Sequence, residues 1–398
     1  MEEHVEVVDV RKLMTRLRAT AFPIPSHLLR IISIAANRPQ LPTSTRFIAM
    51  ASDTKMQYVR LGNSGLKVSK IILGCMSYGD PEWSEWVLKE KEAIEHIKYA
   101  YEQGINTFDT ADMYSCGASE EILGKAIKEI GCPRESVVIL TKVYMPVTHN
   151  SHKRPPDFPD LDKSGYVNQY GLSRKHIFDS VQASLKRLDL EYIDVLQCHR
   201  FDYNTPIEET MQALHDVVQR GWVRYIGMSS CWAYQFHAMQ NYAINNRLTP
   251  FISMQNFYNA CYREEEREMI PTLKMFGVGC IPWSPLGRGF LTRPWKDASS
   301  TRADTDNYFK AVGFASPEES KKRVNEGVQK VADNRGVSMA QVTLAWILSR
   351  DFITAPIVGT TSLDKLKDLL GAVNINLTDE EKKLIEDPYV PQPVAGHT

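Results

Sequence analysis

Short runs of consecutive apolar residues alternate, from residue 58 onward, with longer stretches in which apolar residues recur every three or four positions. A short run that is apolar on both faces is typical of a buried parallel strand, and the longer period is typical of an amphipathic helix. The short runs predict eight strands, at 71–74, 106–111, 137–143, 193–198, 225–229, 251–256, 279–283 and 355–359. The longer stretches predict helices at 88–103, from Ser119 onward, and at 173–188, 207–220, 233–246, 264–276, 318–334, 338–350 and 362–371.

This order of elements favours an α/β fold, a closed (β/α)8 TIM barrel, over an open doubly wound sheet. The open sheet remains the alternative if one weak strand is miscounted. Ahead of the first barrel strand, residues 58–70 predict a β-hairpin with its turn at 63–65. Two long loops, 144–172 and 286–317, each follow the carboxyl end of a strand. We therefore expect both loops to lie over the carboxyl-terminal face of the barrel.

The barrel is predicted to span residues 56–390, between an N-terminal extension at 1–55 and a short C-terminal tail at 391–398. The extension opens with acidic residues, and arginines follow in a stretch that has no acid after Asp9 until Asp53. Arginine-rich, acid-poor sequence is typical of a mitochondrial presequence, although the acidic start argues against one. A disordered leader, an upstream extension of the reading frame, a targeting segment and a structured extension all remain open. None of them gives this segment a chemical role.

Composition excludes several functional classes. The formal net charge of −1 provides no basic field for nucleic acid, and no basic run suits a membrane surface. No apolar run approaches the roughly 20 residues that span a bilayer. The seven cysteines are dispersed and the ten histidines do not cluster with them, so we expect reduced thiols and no metal. These features predict a cytoplasmic protein, or a mitochondrial one if the extension is a presequence, of unknown oligomeric state.

Four polar residues fall at or just beyond the ends of the second, third and fourth predicted strands: Asp109, Tyr114, Lys142 and His199. Each of them alone is compatible with a structural role, and the case for chemistry depends on all four meeting at one face. A lysine ammonium lowers the pKa of a neighbouring tyrosine, and a carboxylate holds the lysine in place. A histidine donates a hydrogen bond to a carbonyl oxygen, so the set could protonate an oxyanion as hydride arrives at carbon.

The motifs around these residues resemble those of the aldo-keto reductases, from residue 58 to about residue 387. They are GINTFDTADMY, VVILTKV, LQCHR, QNFYN, WSPLGRGFLT and PIVGTTSLDKL, in the order and spacing of that family. Finer details, such as HRFDYNTPIEETM, resemble the fungal branch grouped with aryl-alcohol dehydrogenases and versiconal-type reductases. The resemblance implies a metal-free, NADPH-dependent carbonyl reductase on a TIM barrel, and its catalytic tetrad matches the four polar residues.

The resemblance also implies the cofactor contacts, which match less uniformly. Ser230 stands where the family has an asparagine for the nicotinamide carboxamide, and Lys365 stands where an arginine meets the adenosine 2′-phosphate. Because lysine is a point charge without a bidentate fork, we expect NADPH to be preferred over NADH, but less strongly than with an arginine. The implied cofactor positions are Ser229, Ser230, Gln255, Trp283, Ser284, Leu286, Arg288, Gly289, Gly359, Thr360, Lys365 and Asp368. The predicted roof of the substrate pocket is Trp83, Trp86 and Tyr144, which suits an aryl or flat apolar carbonyl.

Two functions remain open at this stage. The first is reversible reduction of an aldehyde or ketone to the alcohol, with the proton supplied by Tyr114. The second is a redox-sensing regulatory subunit that binds NADPH and turns over slowly, a role for which the potassium-channel β subunits show that the same fold is used. The physiological substrate and the direction of reaction are not determined by these motifs.

Overall fold

The computed structural model describes residues 56–149, 153, 157–297 and 318–397 of the 398-residue chain. The predictions for residues 1–55, and those for much of the second long loop, therefore lie outside the described residues. Within the described part no helix combines the length and the apolar character needed to cross a membrane.

The described strands form a two-stranded hairpin and an eight-stranded parallel sheet. The hairpin, β1 and β2, precedes the sheet, and β10 pairs with β3 at the start of the sheet order. The strands are β1 (Tyr58–Arg60), β2 (Lys67–Ser69), β3 (Ile72–Gly74), β4 (Thr107–Asp109), β5 (Val138–Val143), β6 (Ile193–Cys198), β7 (Val223–Ser229), β8 (Phe251–Gln255), β9 (Gly279–Cys280) and β10 (Ile357–Val358). All eight predicted barrel strands are confirmed, several of them shortened at their ends.

Hydrogen bonds between the segments around β9 and β10 close the sheet. The Thr354 N–H donates to Cys280 O at 2.9 Å, and the Ile357 N–H donates to Pro282 O at 2.9 Å. Every residue of β5 and β6 is buried, because one face of each strand lines the barrel and the other is covered by helices. The predicted (β/α)8 barrel with its N-terminal hairpin is thereby confirmed.

The helices follow the predicted order, with small shifts at their ends. They are α1 (Glu90–Glu102), α2 (Ala118–Ile130), α3 (Arg174–Leu188), α4 (Ile207–Gln219), α5 (Ala233–Asn245), α6 (Met269–Phe276), α7 (Glu318–Arg335), α8 (Met339–Leu348), α9 (Leu363–Leu370) and α10 (Asp379–Glu386). The sequence analysis missed α10, although Thr378 and Glu381 form a capping box there that the T-x-x-E spacing signals. The predicted helix start at Ser119 was wrong, because Gly117 caps α2 and Ser119 donates from inside it to Cys75 O at 2.8 Å.

The barrel interior is apolar at one end and polar at the other. The hairpin contributes Leu61 and Val68 to an apolar cluster that also contains Ile72, Leu140 and Val195. This cluster fills the end of the barrel at which the strands begin, so water is excluded from the barrel there. Polar side chains then follow along the same strands toward their carboxyl ends, and the candidate site lies at that face.

Residues 391–397, predicted to form a tail beyond the barrel, lie against the segment that follows β8. Gln392 donates from Nε2 to Cys261 O at 2.6 Å, and His397 is only 7% exposed. These contacts extend the packed structure past the predicted boundary at residue 390.

Candidate active site

The ammonium group of Lys142 lies at the centre of the polar end of the barrel. Its Nζ donates hydrogen bonds to Asp109 Oδ2 at 2.6 Å, to Thr110 O at 2.8 Å and to the Tyr114 hydroxyl at 3.2 Å. Lys142 is on β5 and Asp109 ends the neighbouring β4, so the parallel register brings the two side chains together. Burial lowers the pKa of Lys142, but the charge of Asp109 and the contact with Tyr114 outweigh burial and raise it. Lys142 is therefore a charged ammonium at neutral pH.

The phenol of Tyr114 retains its proton at neutral pH. Burial raises the pKa of Tyr114 above its ordinary value, while the Lys142 ammonium lowers it and Asp109 raises it. The sequence analysis predicted a lowered pKa. Lys142 does act in that direction, but loss of solvent around the ring has the larger effect. Tyr114 is thus arranged as a proton donor, with a cation in place to stabilise the phenolate that remains after donation.

The imidazole of His199 stands edge-on to the Tyr114 ring, with a centroid distance of 5.8 Å and an interplanar angle of 83°. Burial, together with the positive charges of Lys142 and Arg200, lowers the pKa of His199 well below its ordinary value. The ring is therefore neutral at pH 7. Its Nδ1 is buried and has no hydrogen-bond partner in the described part of the chain. A neutral imidazole beside the phenol can donate a hydrogen bond to a substrate oxygen without competing for the proton of Tyr114.

Two glutamines hold the second oxygen of Asp109. Oδ1 accepts from Gln197 Nε2 at 3.0 Å and from Gln255 Nε2 at 2.8 Å, and the two amides are joined by a 2.8 Å bond. The sequence analysis missed Gln197 and gave Gln255 only a cofactor role. The available signal was register, since Gln197 pairs with Lys142 across β5 and β6 and so faces the same interior. The carboxylate of Asp109 is consequently fixed on both oxygens before any ligand binds.

A tight turn after β4 presents Tyr114 to the site. The two residues that follow it, Ser115 and Cys116, both adopt left-handed backbone conformations with φ of 47° and 54°. Such conformations are strained for residues with a side chain and persist where the surroundings hold them. Gly79 allows the turn to fit, because a Cβ added there would lie 2.1 Å from Ser115 Oγ.

Aromatic side chains form a wall beside Tyr114. Trp83 lies 6.3 Å from the Tyr114 ring and 6.2 Å from Trp86, centroid to centroid, and both tryptophans are 6% exposed. Tyr144 is half-buried and packs against the main core. Of the three predicted pocket residues, Trp83 therefore packs beside the Tyr114 ring, and Trp86 packs against Trp83.

The residues predicted to contact the nicotinamide lie together at the ends of β7, β8 and β9. The Trp283 indole N–H donates to Ser230 Oγ at 3.2 Å, and Ser229 Oγ donates to Gln255 O at 2.7 Å. Ser230 has a φ of 48°, and its N–H donates to Asn256 Oδ1 at 2.8 Å. The buried Asn256, which the sequence analysis did not single out, thus shapes this part of the site.

The predicted pyrophosphate loop turns sharply at left-handed residues. Leu286 has a φ of −93°, and Gly287, Arg288 and Gly289 follow with φ of 56°, 59° and 89°. Ser284, at the start of the loop, is also left-handed with a φ of 53°. The Gly287 N–H donates to Ser284 O at 3.1 Å and the Gly289 N–H donates to Leu286 O at 3.0 Å, so these two groups are used within the loop. The guanidinium of Arg288 between two glycines fits a diphosphate, because it supplies a positive charge and its neighbours have no side chains.

The predicted adenosine contacts lie at the end of β10 and on α9. Thr360 is 7% exposed, and Lys365 is exposed in the first turn of α9. Asp368 accepts a 2.6 Å hydrogen bond from Ser338, the residue that caps α8. Asp368 therefore joins two helices, which the sequence analysis did not anticipate. A Cβ added at Gly359 would lie 3.6 Å from Gly74 O at the end of β3, which is an ordinary van der Waals distance.

The side chain of Asp112, three residues beyond the end of β4, contacts helix α3. Its Oδ2 accepts from Ser180 of α3 at 3.0 Å, and its Oδ1 has no partner among the described residues. The residue is fully buried. Burial, and then the charge of Glu120, raise the pKa of Asp112 to about 8, whereas Arg187 and Ser180 lower it. Asp112 therefore belongs to the layer between the barrel and its helices.

The raised pKa of Asp112 makes stability depend on pH. Below the unfolded pKa of 3.8 the carboxyl is protonated in both states; between that value and about 8 only the unfolded chain ionises, so stability falls as pH rises. We expect Asp112→Asn to gain thermal stability relative to the wild type on going from pH 5 to pH 8. Thermal unfolding midpoints of both proteins at the two pH values measure this difference. An equal change in both proteins would contradict the buried neutral carboxyl.

In the described part of the chain no group of three or more histidine, cysteine, aspartate or glutamate side chains is arranged to hold a metal ion.

Comparison with known proteins places this geometry in a family. The family model for the aldo/keto reductase family matches residues 70–389. The chain is 51% identical over 340 residues to a versiconal hemiacetal acetate reductase of Aspergillus parasiticus, covering 85% of this chain and 98% of that protein. It is 49% identical over 356 residues to a putative aryl-alcohol dehydrogenase of Schizosaccharomyces pombe, covering 87% and 99%.

A third relative, an aldo-keto reductase of Alternaria alternata, is 47% identical over 353 residues, which is 87% of this chain and 95% of that protein. These relatives are named as reductases or dehydrogenases, in agreement with an oxidoreductase that acts on carbonyl groups. The chain belongs to the aldo/keto reductase family.

Proposed function

We propose that the protein is an NADPH-dependent reductase that converts an aldehyde or ketone to the alcohol, reversibly, with Tyr114 as the proton donor. One observation carries this proposal. The Lys142 ammonium binds the Asp109 carboxylate and the Tyr114 hydroxyl at the same time, at 2.6 and 3.2 Å, in a buried site. This arrangement stabilises a phenolate at the moment when the phenol gives up its proton.

The chemistry balances with the residues present. NADPH, when bound, supplies a hydride to the carbonyl carbon and is oxidised to NADP+. Tyr114 donates its proton to the carbonyl oxygen as the C=O bond is reduced to the alcohol. Lys142 stabilises the phenolate left on Tyr114, and the neutral His199 donates a hydrogen bond that orients the carbonyl oxygen. Asp109 keeps the ammonium in place through its own fixed carboxylate.

Three groups of residues would hold the cofactor. Trp283, Ser229, Ser230 and Gln255 would contact the nicotinamide, and the loop from Ser284 through Leu286 to Gly289 would contact the diphosphate. Gly359, Thr360, Lys365 and Asp368 are assigned to the adenosine end. The positive charge of Arg288, between Gly287 and Gly289, supports the assignment of the loop to an anion.

Replacement of Lys365 tests the assignment of the 2′-phosphate. We expect Lys365→Ala to raise the KM for NADPH about 10-fold, since one charge-assisted contact contributes roughly 1.5 kcal/mol. The KM for NADH should change less than about twofold, because NADH lacks the phosphate. Steady-state kinetics with the two cofactors measure this. Lys367→Ala, which removes another exposed lysine of α9, is the matched control. Equal effects on both cofactors would contradict the assignment.

The aromatic wall suggests the substrate class. Trp83 and Trp86 are apolar and flat, and Trp83 contacts the Tyr114 ring directly. A planar aryl carbonyl would bury its ring against them while its oxygen reaches the phenol. The name of one relative, a putative aryl-alcohol dehydrogenase, supports an aryl substrate. We also propose the cytosol as the compartment, because Cys75, Cys198 and Cys280 are buried free thiols.

Loss of reduced-nicotinamide absorbance with a panel of aryl and aliphatic aldehydes tests the proposal. NADPH and NADH are run side by side, and an inactive tetrad variant shows the rate that does not depend on the site. Rapid turnover with NADPH, faster on aryl than on aliphatic aldehydes, is the expected result. Tight NADPH binding without turnover on any carbonyl would instead indicate the regulatory function.

A further inference from the structure

We propose that the C-terminal segment, residues 389–397, is a positioning element that holds Trp283 and Ser230 in the orientation that receives the nicotinamide. The inference rests on the proposed function, which assigns those two residues to the cofactor. It adds a part of the chain that contains none of the predicted site residues.

The C-terminal segment is attached first to the short helical turn after β8. The Tyr389 hydroxyl donates to Glu264 Oε1 at 2.5 Å, and the Gln392 N–H donates to the same oxygen at 3.0 Å. Gln392 Nε2 donates to Cys261 O at 2.6 Å. Glu264 is 6% exposed, so these bonds fix the segment on a buried carboxylate.

One path from the segment to Trp283 is aromatic. The Ala395 N–H donates to the Tyr262 hydroxyl at 2.9 Å, and that hydroxyl donates to Ala395 O at 3.2 Å. The Tyr262 ring lies 4.7 Å from Phe257, and Phe257 lies 4.7 Å from Trp283, centroid to centroid. The interplanar angles are 38° and 36°, so the three rings form a tilted stack. The segment thus supports one face of the indole.

A second path is polar. His397 Nε2 lies 2.7 Å from Glu265 Oε1, and Glu265 Oε2 accepts from Asn256 Nδ2 at 2.6 Å. Asn256 Oδ1 accepts from the Ser230 N–H at 2.8 Å, and Ser230 Oγ accepts from the Trp283 indole N–H at 3.2 Å. His397 and Glu265 are 7% and 4% exposed. The C-terminal segment is therefore connected to the Trp283 indole twice, through contacts to its ring face and through contacts to its nitrogen.

Convergence on a single side chain distinguishes this arrangement from ordinary packing of a chain end. Trp283 is only half-buried and Ser230 has a left-handed backbone, so both need support from neighbours. A ring that is fixed before its ligand arrives loses less conformational entropy on binding. Loosening the C-terminal segment should therefore weaken cofactor binding more than it slows the chemical step.

Cofactor affinity measures the effect. We expect His397→Ala to raise the NADPH Kd about 5-fold, measured by quenching of protein fluorescence, with a smaller change in kcat at saturating NADPH. Tyr262→Phe keeps the ring stack and removes both bonds to Ala395, so it should act in the same direction. Val394→Ala, at an exposed position of the same segment, is the matched control and should leave the Kd unchanged.

A double-mutant cycle with Trp283→Ala separates positioning from general destabilisation. If the segment acts through the indole, His397→Ala should change the Kd less than about twofold in the Trp283→Ala background. The same factor in both backgrounds, or a single variant that binds NADPH as tightly as the wild type, would overturn the inference. A wild type that neither binds nor oxidises NADPH would overturn the proposed function itself. Thermal unfolding midpoints confirm that each variant is folded, and Tyr262→Phe carries the test if His397→Ala is not.

Discussion

Tyr114→Phe should lose carbonyl reduction by a factor of about 10³ while it binds NADPH within about twofold of the wild type. The substitution removes only the hydroxyl, which is 3.2 Å from Lys142 Nζ. The ring remains, and its contacts with Trp83 and His199 depend on the ring alone. The expected loss of reduction rate therefore reports on proton donation by Tyr114 alone. Single-turnover reduction of an aryl aldehyde measures the chemical step, and fluorescence quenching measures cofactor affinity.

Tyr58→Phe is the control for loss of a phenolic hydroxyl elsewhere in the fold. Its hydroxyl donates to Gly104 O at 2.7 Å, in the hairpin at the opposite end of the barrel. This variant should retain full activity. Equal losses of turnover and NADPH affinity in Tyr114→Phe would show that the tyrosine binds the cofactor and is not the acid.

Lys142→Met should lose both activity and stability, for two different reasons. Without the ammonium, the phenolate of Tyr114 has no adjacent cation, and kcat should fall by a factor of about 10² to 10³. The carboxylate of Asp109 is left buried without its partner, which costs about 3–5 kcal/mol of unfolding free energy. Thermal unfolding and steady-state kinetics measure the two effects independently.

The double variant Asp109→Asn/Lys142→Met separates those effects. It removes the uncompensated charge, so most of the stability should return, whereas activity should stay low because the cation is still missing. Lys125→Met, which breaks the exposed pair with Glu90, is the control and should change stability by at most about 1 kcal/mol. Recovery of activity together with stability in the double variant would show that Lys142 has only a structural role.

The pH dependence of alcohol oxidation gives a further check on Lys142. Oxidation requires Tyr114 to accept a proton, so its rate rises as the phenol ionises. Lys142 lowers the pKa of Tyr114, and its removal should move this rise to higher pH. An unchanged pH profile would contradict the electrostatic coupling between the two side chains.

Much of the barrel was predictable because its strands are buried on both faces. A strand such as β6, with all six residues buried, must be a continuous apolar run, and such runs stand out in a sequence. The ends of elements were less predictable, because local caps decide them. Serine is a residue type that often caps helices, yet Ser119 lies within α2 and its hydroxyl donates a hydrogen bond to the backbone of Cys75.

Motif spacing also predicted that the four candidate tetrad residues would lie together, since strand ends of a parallel barrel meet at one face. Spacing could not reveal what surrounds them. Gln197 holds Asp109 because two strands run in register, a relation between residues 88 positions apart. Asp112, three positions after Asp109, points into the helix layer, because the chain turns after β4. Asp109 and Asp112 are close in sequence, yet their side chains lie in different parts of the fold.

The sequence by itself determined the order of elements, the four polar residues that meet at one end of the barrel and the family to which their motifs belong, because these depend on local patterns of apolar and polar side chains. The tertiary structure determined the direction in which the pKa of a site residue such as Tyr114 is shifted. Burial, which no local pattern measures, raises the pKa of Tyr114 although Lys142 lowers it. Contacts across more than 130 positions, such as that between His397 and Glu265, likewise arise only when the chain is folded, because packing brings distant segments together.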